Sequence, residues 1–386
     1  MKIREKLNHF LLRVGRRLEL RRVWAYPETL QLVPTNACNL RCKNCPKTYY
    51  PTDTRHLSSD VYTRVKEALF KNIRVLNLQG LGEPLIAPLF PQMLEDAEKH
   101  RLKVIFVTNA TTLDRAMTKK LVKIGAIITI SLDGAKPETH ERARPGSKFS
   151  QVMEVFDIFK EEKQRQESSG FVLNINTVVN VMNVNELEGI IDIAARYGIN
   201  CINLINPAIG ERDDEFAKGA IGNHPELLSS QINDLIMKAQ TKGVYLSFPD
   251  FILKYAKKNG NDSHNLKRDE TSETILGKRL FPGKCLDPWN MIYIDVDGWV
   301  RPCCRAIWLG MGNILENTFW EIWNNKHYRE LRGCINTNNP PDFCRTCNTN
   351  WGINRGDEFY LEKLRQRGIQ LQDPPLIGIR GNQESK

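Results

Sequence analysis

Short runs of β-branched residues alternate with amphipathic stretches from residue 30 to about residue 205. The runs predict strands at Leu30–Val33, Arg74–Leu78, Lys103–Thr108, Ile127–Leu132, Val172–Val179 and Cys201–Leu204. The amphipathic stretches predict helices at Ser58–Lys71, Pro88–His100, Thr112–Ile124, Phe149–Gln164 and Asn185–Tyr197. Such an alternation gives a parallel sheet with helices packed on it, either doubly wound or a full or partial barrel.

Polar or glycine-rich turns follow several of these strands. Their candidate functional residues are Gly82, Glu83, Asn109, Ser131 and Asp133. Binding and catalysis in parallel α/β folds take place at the carboxyl ends of the strands. We therefore expect the chemistry of this chain at these turns.

The positive charge of the chain is concentrated at its start. Eight Lys or Arg and two Glu residues place a net charge of +6 within residues 1–24, out of a formal +10 for all 386 residues. Nucleic-acid binding is therefore not expected of the rest of the chain. Arg13, Arg16 and Arg17 interrupt any signal-peptide core, and no apolar run is long enough to span a membrane. A cytoplasmic location is expected.

Nine of the ten cysteines fall into two groups, within residues 38–45 and 285–347. In a reducing compartment such groups indicate metal or redox sites rather than disulfides. The tenth, Cys201, is predicted to be a buried strand residue. The first group, Cys38, Cys42 and Cys45, supplies three thiolates, which leave one iron of a four-iron cluster open. A structural zinc loop is the alternative, but no fourth Cys or His lies nearby to close it.

The CxxxCxxC spacing of this group resembles the signature of the radical S-adenosylmethionine (SAM) superfamily, and the resemblance spans about residues 30–205. It implies that SAM chelates the open iron and that reduction releases a 5′-deoxyadenosyl radical, which abstracts hydrogen from a substrate. It also implies a partial (β/α)6 TIM-like barrel and a flavodoxin- or ferredoxin-type electron donor. Asn44 stands where the family often has an aromatic residue.

The strand-end residues add to the resemblance. Gly82 and Glu83 resemble the family's GGE motif, in which the small residue permits close backbone approach and the carboxylate accepts from the SAM amino group. Ser131 and Asp133 resemble the positions that contact the ribose. Arg144 is a candidate partner for the SAM carboxylate, and a solvent-facing side chain is the alternative.

The second cysteine group surrounds a hairpin signal, Asp297-Gly298. This turn predicts two strands, Met291–Val296 and Trp299–Pro302, whose pairing brings Cys303 back toward Cys285. A CxxC loop then supplies a second pair, and four thiolates can close a complete metal site. A zinc ribbon is the alternative to an iron–sulfur cluster.

This region resembles the SPASM/twitch extension, which binds auxiliary 4Fe–4S clusters in radical SAM enzymes. By that resemblance the ligands are Cys285, Cys303, Cys344 and Cys347, while Cys304 and Cys334 are extra. The resemblance implies four segments: a basic amphipathic segment (1–29), a radical SAM core (30–284), an auxiliary-cluster domain (285–354) and a tail (355–386). Within the core, Pro225–Thr241 predicts a helix and Val244–Phe248 a last strand.

The N-terminal segment has apolar residues at helical spacing, with most of its Arg and Lys on the other faces. These residues are Ile3, Leu7, Phe10, Leu11, Val14 and Leu18. Such a helix either lies on an anionic membrane surface at the inner face of the membrane, or packs against the barrel with its charged face in solvent.

The leading functional hypothesis is a radical SAM oxidoreductase with two 4Fe–4S clusters. Hydrogen abstraction by the SAM-derived radical would be followed by oxidation of the substrate, for example alcohol to carbonyl, with the auxiliary cluster taking the electron. The substrate would be a small metabolite, a sugar or a lipid-linked molecule. A peptide or protein side-chain maturase is the alternative within the same chemistry. A non-catalytic electron carrier or scaffold is the alternative of another class, but it would not need Glu83, Ser131 and Asp133 in SAM-like order.

Overall fold

The computed structural model describes residues 3–49, 53–166, 170–207, 212–248, 252, 255, 285–304, 306–341 and 344. Ten strands form one sheet in the order β10-β9-β8-β1-β2-β3-β4-β5-β6-β7. The strands are β1 Thr29–Leu32, β2 Val75–Asn77, β3 Lys103–Thr108, β4 Ile127–Ser131, β5 Val172–Val178, β6 Cys201–Ile205, β7 Tyr245–Ser247, β8 Met291–Ile294, β9 Trp299–Arg301 and β10 Gly312–Asn313.

Helices occupy most of the connections between the strands. They are α1 Ile3–Arg17, α2 Pro46–Tyr49, α3 Ser59–Leu69, α4 Phe90–His100, α5 Arg115–Lys123, α6 Pro137–Ala143, α7 Phe149–Arg165, α8 Leu187–Arg196, α9 Glu215–Lys218, α10 Pro225–Ser229, α11 Ile232–Thr241, α12 Asp287–Asn290, α13 Phe319–Trp323 and α14 Lys326–Cys334. Short 3₁₀ turns span Pro84–Ile86 and Val184–Glu186.

Strands β1 to β7 are parallel and lie side by side in chain order. Because crossovers between parallel strands are right-handed, sequential strands place all their helices on one face of the sheet. This is the arrangement of a partial barrel, and the predicted α/β fold with a C-terminal domain is confirmed. The predicted last barrel unit is present as β7, Tyr245–Ser247.

One predicted helix is divided. Pro225–Thr241 forms two helices, α10 and α11, because the side chains of the two residues between them bond to a backbone carbonyl of α10. Ser230 Oγ and Gln231 Nε2 both donate to the Leu227 carbonyl, at 3.2 and 2.9 Å. The prediction of a single helix was therefore wrong. Strand β10 was not predicted, since two residues are too few to show an alternating pattern.

The two faces of β4–β7 differ in chemistry. Ile175, Ile202 and Leu246 face the helices and join α8 and α11 in the main hydrophobic core. Burial of each such side chain contributes about 1.5–3 kcal/mol to folding. The alternate residues of β5, β6 and β7 are half-buried on the opposite side, which we call the open face.

Strand β8 pairs in parallel with β1, so the C-terminal region continues the sheet of the barrel. The predicted hairpin is confirmed by the antiparallel pairing of β8 with β9. The four residues that connect the two strands, 295–298, end at Gly298, which has a φ of 82°. The Asp295 carboxylate fixes the loop by accepting from the Asp297 and Trp299 backbone N–H groups, both at 3.0 Å.

The N-terminal segment packs on this C-terminal region. Indole N–H groups of Trp289 and Trp323 donate to the Leu20 and Ala25 carbonyls, at 2.8 and 3.1 Å. Asn324 makes two hydrogen bonds with the Val23 backbone, at 2.8 and 2.9 Å. Helix α1 contacts α12, so the expectation that it lies against the barrel is replaced by packing on the C-terminal region.

Candidate functional site

The loop of Cys38, Cys42 and Cys45 follows β1, and all three thiols are half-buried. Its backbone is attached to the C-terminal end of α6. The Lys43 N–H donates to the Ala143 carbonyl at 2.9 Å, and within the loop the Cys45 N–H donates to the Cys42 carbonyl at 3.1 Å. The loop is therefore fixed to the carboxyl end of the β4 unit as well as to β1.

The three thiols lie near enough to influence one another. Burial is the main cause that raises the pKa of each, and a neighbouring cysteine adds to it in every case. Within the described ranges, no three His, Cys, Asp or Glu side chains are gathered to ligate a single metal ion. An iron–sulfur cluster binds each thiolate to a different iron, so its ligands are spread over the cluster. Three clustered thiols without a fourth ligand from the loop fit such a cluster with one open iron.

Glu83 is 3% exposed and lies where β2 and β3 end. Its Oε1 accepts from the Thr108 hydroxyl at 2.7 Å, and its Oε2 accepts from the Asn109 backbone N–H at 2.8 Å. Burial raises the pKa of this carboxyl, whereas these donors oppose that change. The carboxylate is thus fixed in position beside the cysteine loop.

Gly82 allows the turn after β2 to lie close to the residues that precede the cysteine loop. A Cβ atom at this position would lie 2.4 Å from the carbonyl oxygens of both Thr35 and Ala37. The next residue, Glu83, donates its N–H to the Ala37 carbonyl at 2.8 Å. The turn after β2 therefore lies directly against the residues that lead into Cys38, and only glycine fits there without movement.

Asp133 and Arg144 form a buried ion pair, with 2.8 Å between Oδ2 and Nε. Asp133 Oδ1 accepts from the Val178 N–H at 2.8 Å. Arg144 Nη1 donates to the Cys42 sulfur at 3.7 Å. Burial alone would lower the pKa of Arg144, but Asp133 and Cys42 raise it, so the side chain is charged. The solvent-facing alternative for Arg144 is wrong, because only 9% of the residue is exposed.

His140 lies behind Asp133 and is fully buried. Its Nδ1 accepts from the Asp133 N–H at 3.3 Å, and its Nε2 lies 2.9 Å from the Ser147 hydroxyl. Burial lowers the pKa of this imidazole to about 4. The neutral ring therefore connects the Asp133 turn to the segment after Arg144. No local sequence pattern predicts this role.

Side chains outside the cysteine loop support it, and among them Arg212 and Tyr49 were not predicted. Asn109, noted as a strand-end residue, donates its side-chain amide to Asn39 Oδ1 at 2.9 Å. Arg212 donates to the Lys43 carbonyl at 2.8 Å and stacks on the Tyr49 ring at 3.5 Å. These partners are distant in sequence, so only the fold brings them together.

Ser131, the last residue of β4, begins a polar row on the open face. In register with it lie Asn176, Asn203 and Ser247. A second row, two residues earlier, contains Thr129, Asn174, Cys201 and Tyr245. The signal for these rows is the alternation of Asn with aliphatic residues in Val172–Val178, which the sequence reasoning did not use.

Cys201 was predicted to be buried, but it is half-buried because its position on β6 faces away from the helices. Burial raises the pKa of its thiol to about 12, so it is neutral.

A pocket of about 130 Å³ opens between the cysteine loop and the ends of β4 and β5. Asn44, Asp133, Asn180 and Asn183 contribute to its wall. Among the described residues, the buried Asn44 Oδ1 has no hydrogen-bond partner. A side-chain acceptor is therefore available to a polar ligand at this point.

Two sequence profiles match the chain. That of the Radical SAM superfamily matches residues 32–194, and that of the SPASM iron–sulfur cluster-binding domain matches residues 285–348. This chain belongs to the radical SAM superfamily. It is a radical SAM protein with a SPASM domain, and its cofactors are SAM and two iron–sulfur clusters.

Proteins similar to this radical SAM protein have names that describe different activities. The AdoMet-dependent heme synthase of Methanosarcina barkeri is 26% identical over 77% of this chain and 82% of its own length. The mycofactocin maturase MftC of Mycolicibacterium smegmatis is 29% identical over 42% of this chain and 41% of its own length. The SAM-bound crystal structure of Streptococcus suis SuiB is similar in fold, with a TM-score of 0.60, 17% identity, and coverage of 88% of this chain and 76% of SuiB.

The described cysteines of the SPASM region differ in the hydrophobic cluster against which they pack. Cys285, Cys303 and Cys344 are half-buried and pack against the main core. Cys304 packs instead with a small cluster that contains Val33 and Tyr293. Although they are adjacent in the chain, Cys303 and Cys304 therefore pack with different clusters. Cys347 lies outside the described residues.

Proposed function

We propose that this radical SAM enzyme abstracts hydrogen from a neutral, hydroxyl- or amide-bearing substrate and oxidises it, with the auxiliary cluster as the electron acceptor. When bound, SAM and its cluster supply the 5′-deoxyadenosyl radical that removes the hydrogen atom. The observation that supports the substrate class is the pair of polar rows on the open face.

The two rows consist of Ser, Thr, Asn, Cys and Tyr side chains and contain no Lys, Arg, Asp or Glu. The Asn203 amide donates to Asn176 Oδ1 at 2.9 Å and its own Oδ1 accepts from the Cys201 thiol at 3.4 Å, which leaves further N–H groups of both amides for a ligand. Substrate carboxylates are usually bound by Arg or Lys. A neutral group such as a sugar hydroxyl or a peptide amide matches these rows better than a polycarboxylate does.

The proposed cofactor contacts follow from the geometry of the strand ends. Cys38, Cys42 and Cys45 would bind the catalytic cluster, and Glu83, already oriented by two donors, would accept from the SAM amino group. Asp133 Oδ1 accepts from the Val178 N–H and its Oδ2 pairs with Arg144 Nε, and a carboxylate oxygen has a second lone pair for a ribose hydroxyl. Ser131 and Gly82 complete the proposed SAM contacts.

Arg144 already has two partners in the structure, besides the SAM carboxylate that we propose it binds. Its Nε pairs with Asp133 and its Nη1 donates to Cys42, so a SAM carboxylate would bind its remaining N–H groups. The proposed auxiliary ligands are Cys285, Cys303, Cys344 and Cys347. We also propose a flavodoxin- or ferredoxin-type electron donor and a cytoplasmic location, because thiolate-bound clusters suit a reducing compartment.

A peptide or protein maturase is the second candidate. A structural neighbour, SuiB, has been crystallised with its precursor peptide SuiA, and MftC is named as a maturase. The amide side chains on the open face would suit a peptide backbone as well as a sugar. The identity of the oxidised product distinguishes the two candidates.

The test is turnover of the anaerobically purified protein with SAM, a reductant and two substrate panels, neutral sugars and peptides, followed by mass spectrometry. Asn176→Leu and Asn203→Leu should retain reductive SAM cleavage but form about tenfold less oxidised product, since a lost hydrogen bond to a polar group costs about 1–3 kcal/mol. Ile175→Val, on the helix-covered face of the same strand, is the control. Unchanged product formation in both Asn variants would contradict the proposed substrate class.

A further inference from the structure

Helix α1 exposes an apolar stripe to solvent. Ile3, Leu7 and Phe10 are 87%, 55% and 61% exposed, and their spacing of four and three residues places them on one face. Leu18 and Trp24, each 63% exposed, follow the helix. Scattered exposed apolar residues are ordinary, but several on one helix face form a contiguous patch.

The stripe is not the face by which α1 attaches to the protein. Leu12 and Gly15 are its buried residues, and Gly15 lies against Trp289. Asn8 makes two hydrogen bonds with the Tyr26 backbone, at 2.8 and 3.2 Å. The helix is therefore formed and anchored by one face, so a ligand that binds the other face does not have to fold it.

Basic side chains line one edge of the stripe. At about 100° per residue, Lys6, Arg13 and Arg17 lie together on the side of the stripe away from the attached face. The exposed Arg21 and Arg22 follow. A second copy of the chain would bring the same net charge of +6 within residues 1–24 against this one, and the two would repel. An anionic surface is the complementary partner.

We propose that α1 and the following residues to Trp24 bind an anionic lipid surface, with the stripe in the headgroup boundary and the basic edge on the lipid phosphates. At 1.5 Å per residue, the 15 residues of α1 are about 22 Å long, shorter than a bilayer core. No helix in the described part of the chain is long and apolar enough to cross a membrane. The helix lies on the surface.

The experiment is co-sedimentation of the full-length, anaerobically purified protein with phosphatidylcholine vesicles that contain or lack phosphatidylglycerol. We expect binding to the anionic vesicles alone, and weaker binding as salt rises. Leu7→Ser with Phe10→Ser, and separately Arg13→Glu with Arg17→Glu, should each reduce binding by about tenfold or more. Met237→Ser, which changes a 58% exposed residue of α11, should leave binding unchanged.

Three outcomes would overturn the proposal. They are absence of binding by the intact protein at low ionic strength, equal binding by the Leu7/Phe10 variant, and a dimer in ultracentrifugation that this variant abolishes. The last result would assign the stripe to contact between copies of the chain. Vesicle binding needs no SAM cleavage, so it stands or fails independently of the proposed reaction.

Discussion

The two cysteine groups are supported by the fold in different ways. The first is one loop of eight residues, at 38–45, which distant segments hold through backbone contacts such as that from Lys43 to Ala143 at the end of α6. The second spans about sixty residues, and its members depend on local elements, as where Asn336 makes two hydrogen bonds with the Cys285 backbone at 2.8 and 3.1 Å.

This difference corresponds to different demands on the two sites. An open cluster must present one iron to a ligand whose other contacts come from separate strands, so its loop requires accurate placement. A fully ligated cluster closes a small domain, and its formation is coupled to the folding of that domain. Substitutions in the first group should therefore abolish SAM cleavage. Substitutions in the second group should remove the auxiliary cluster and the oxidation of the substrate that depends on it.

The largest effect should come from changing Cys38, Cys42 and Cys45 together to Ala. We expect 5′-deoxyadenosine formation to fall to background while the C-terminal cluster remains, because the loop supplies all three proposed ligands. Chromatography of the SAM cleavage products, together with iron analysis, measures both quantities. Undiminished SAM cleavage in the triple variant would contradict the assignment of these three cysteines as ligands of the catalytic cluster.

The second prediction concerns the auxiliary cluster. The intact protein should contain about eight irons, four per cluster, and Cys344→Ala with Cys347→Ala should halve this number. SAM cleavage should continue and oxidised product should be lost, because the electron acceptor is absent. Iron and zinc analysis and product mass spectrometry test this.

Stoichiometric zinc beside a single cluster in the intact protein would favour the zinc-ribbon alternative. Loss of both clusters from the double variant would show instead that the two groups are not independent. That result would break the comparison between them, since the second group would then be needed for the first.

The third prediction tests the close packing around the first group. Gly82→Ala places a Cβ 2.4 Å from two backbone carbonyl oxygens, so the turn must move and carry Glu83 with it. We expect SAM affinity to fall by about tenfold or more, since misplacement of a positioning group by about 1 Å has effects of this size. Equilibrium binding of SAM to the reconstituted protein measures it.

Gly15→Ala is the matched control for this change. A Cβ at Gly15 would meet its nearest neighbour at 3.6 Å, an ordinary contact, within a helix. This variant should be neutral or more stable by up to about 1 kcal/mol. Equal SAM affinity in the wild type and Gly82→Ala would show that the turn has room to adapt.

Local sequence patterns predict several strands and turns of this fold correctly. Strand β3, Lys103–Thr108, has its predicted bounds, and the turn at Asp297-Gly298 was found, because alternation and turn chemistry are local. The pairing of Asp133 with Arg144 and the row from Ser131 to Ser247 depend on strand register and loop packing. Neither follows from a local pattern, so the sequence predicts candidate SAM-contacting residues but not their partners.

The smallest predicted effect concerns pH and the support of the first group. Burial lowers the pKa of His140 to about 4, below its usual 6.5, so the unfolded chain binds the proton more readily than the folded one. The free energy of unfolding should therefore fall as the pH decreases from about 6.5 to about 4, and the decrease between pH 7 and pH 5 should be about 2 kcal/mol. Below about pH 4, His140 should add no further pH dependence. His140→Gln, which cannot titrate, should be less stable at pH 7 but lose less on acidification. Anaerobic thermal unfolding at both pH values gives the difference, and His327→Gln, a change at a half-buried ring of the second region, is the comparison. If wild type and His140→Gln show the same pH dependence, the buried neutral ring does not couple the Asp133 turn to protonation.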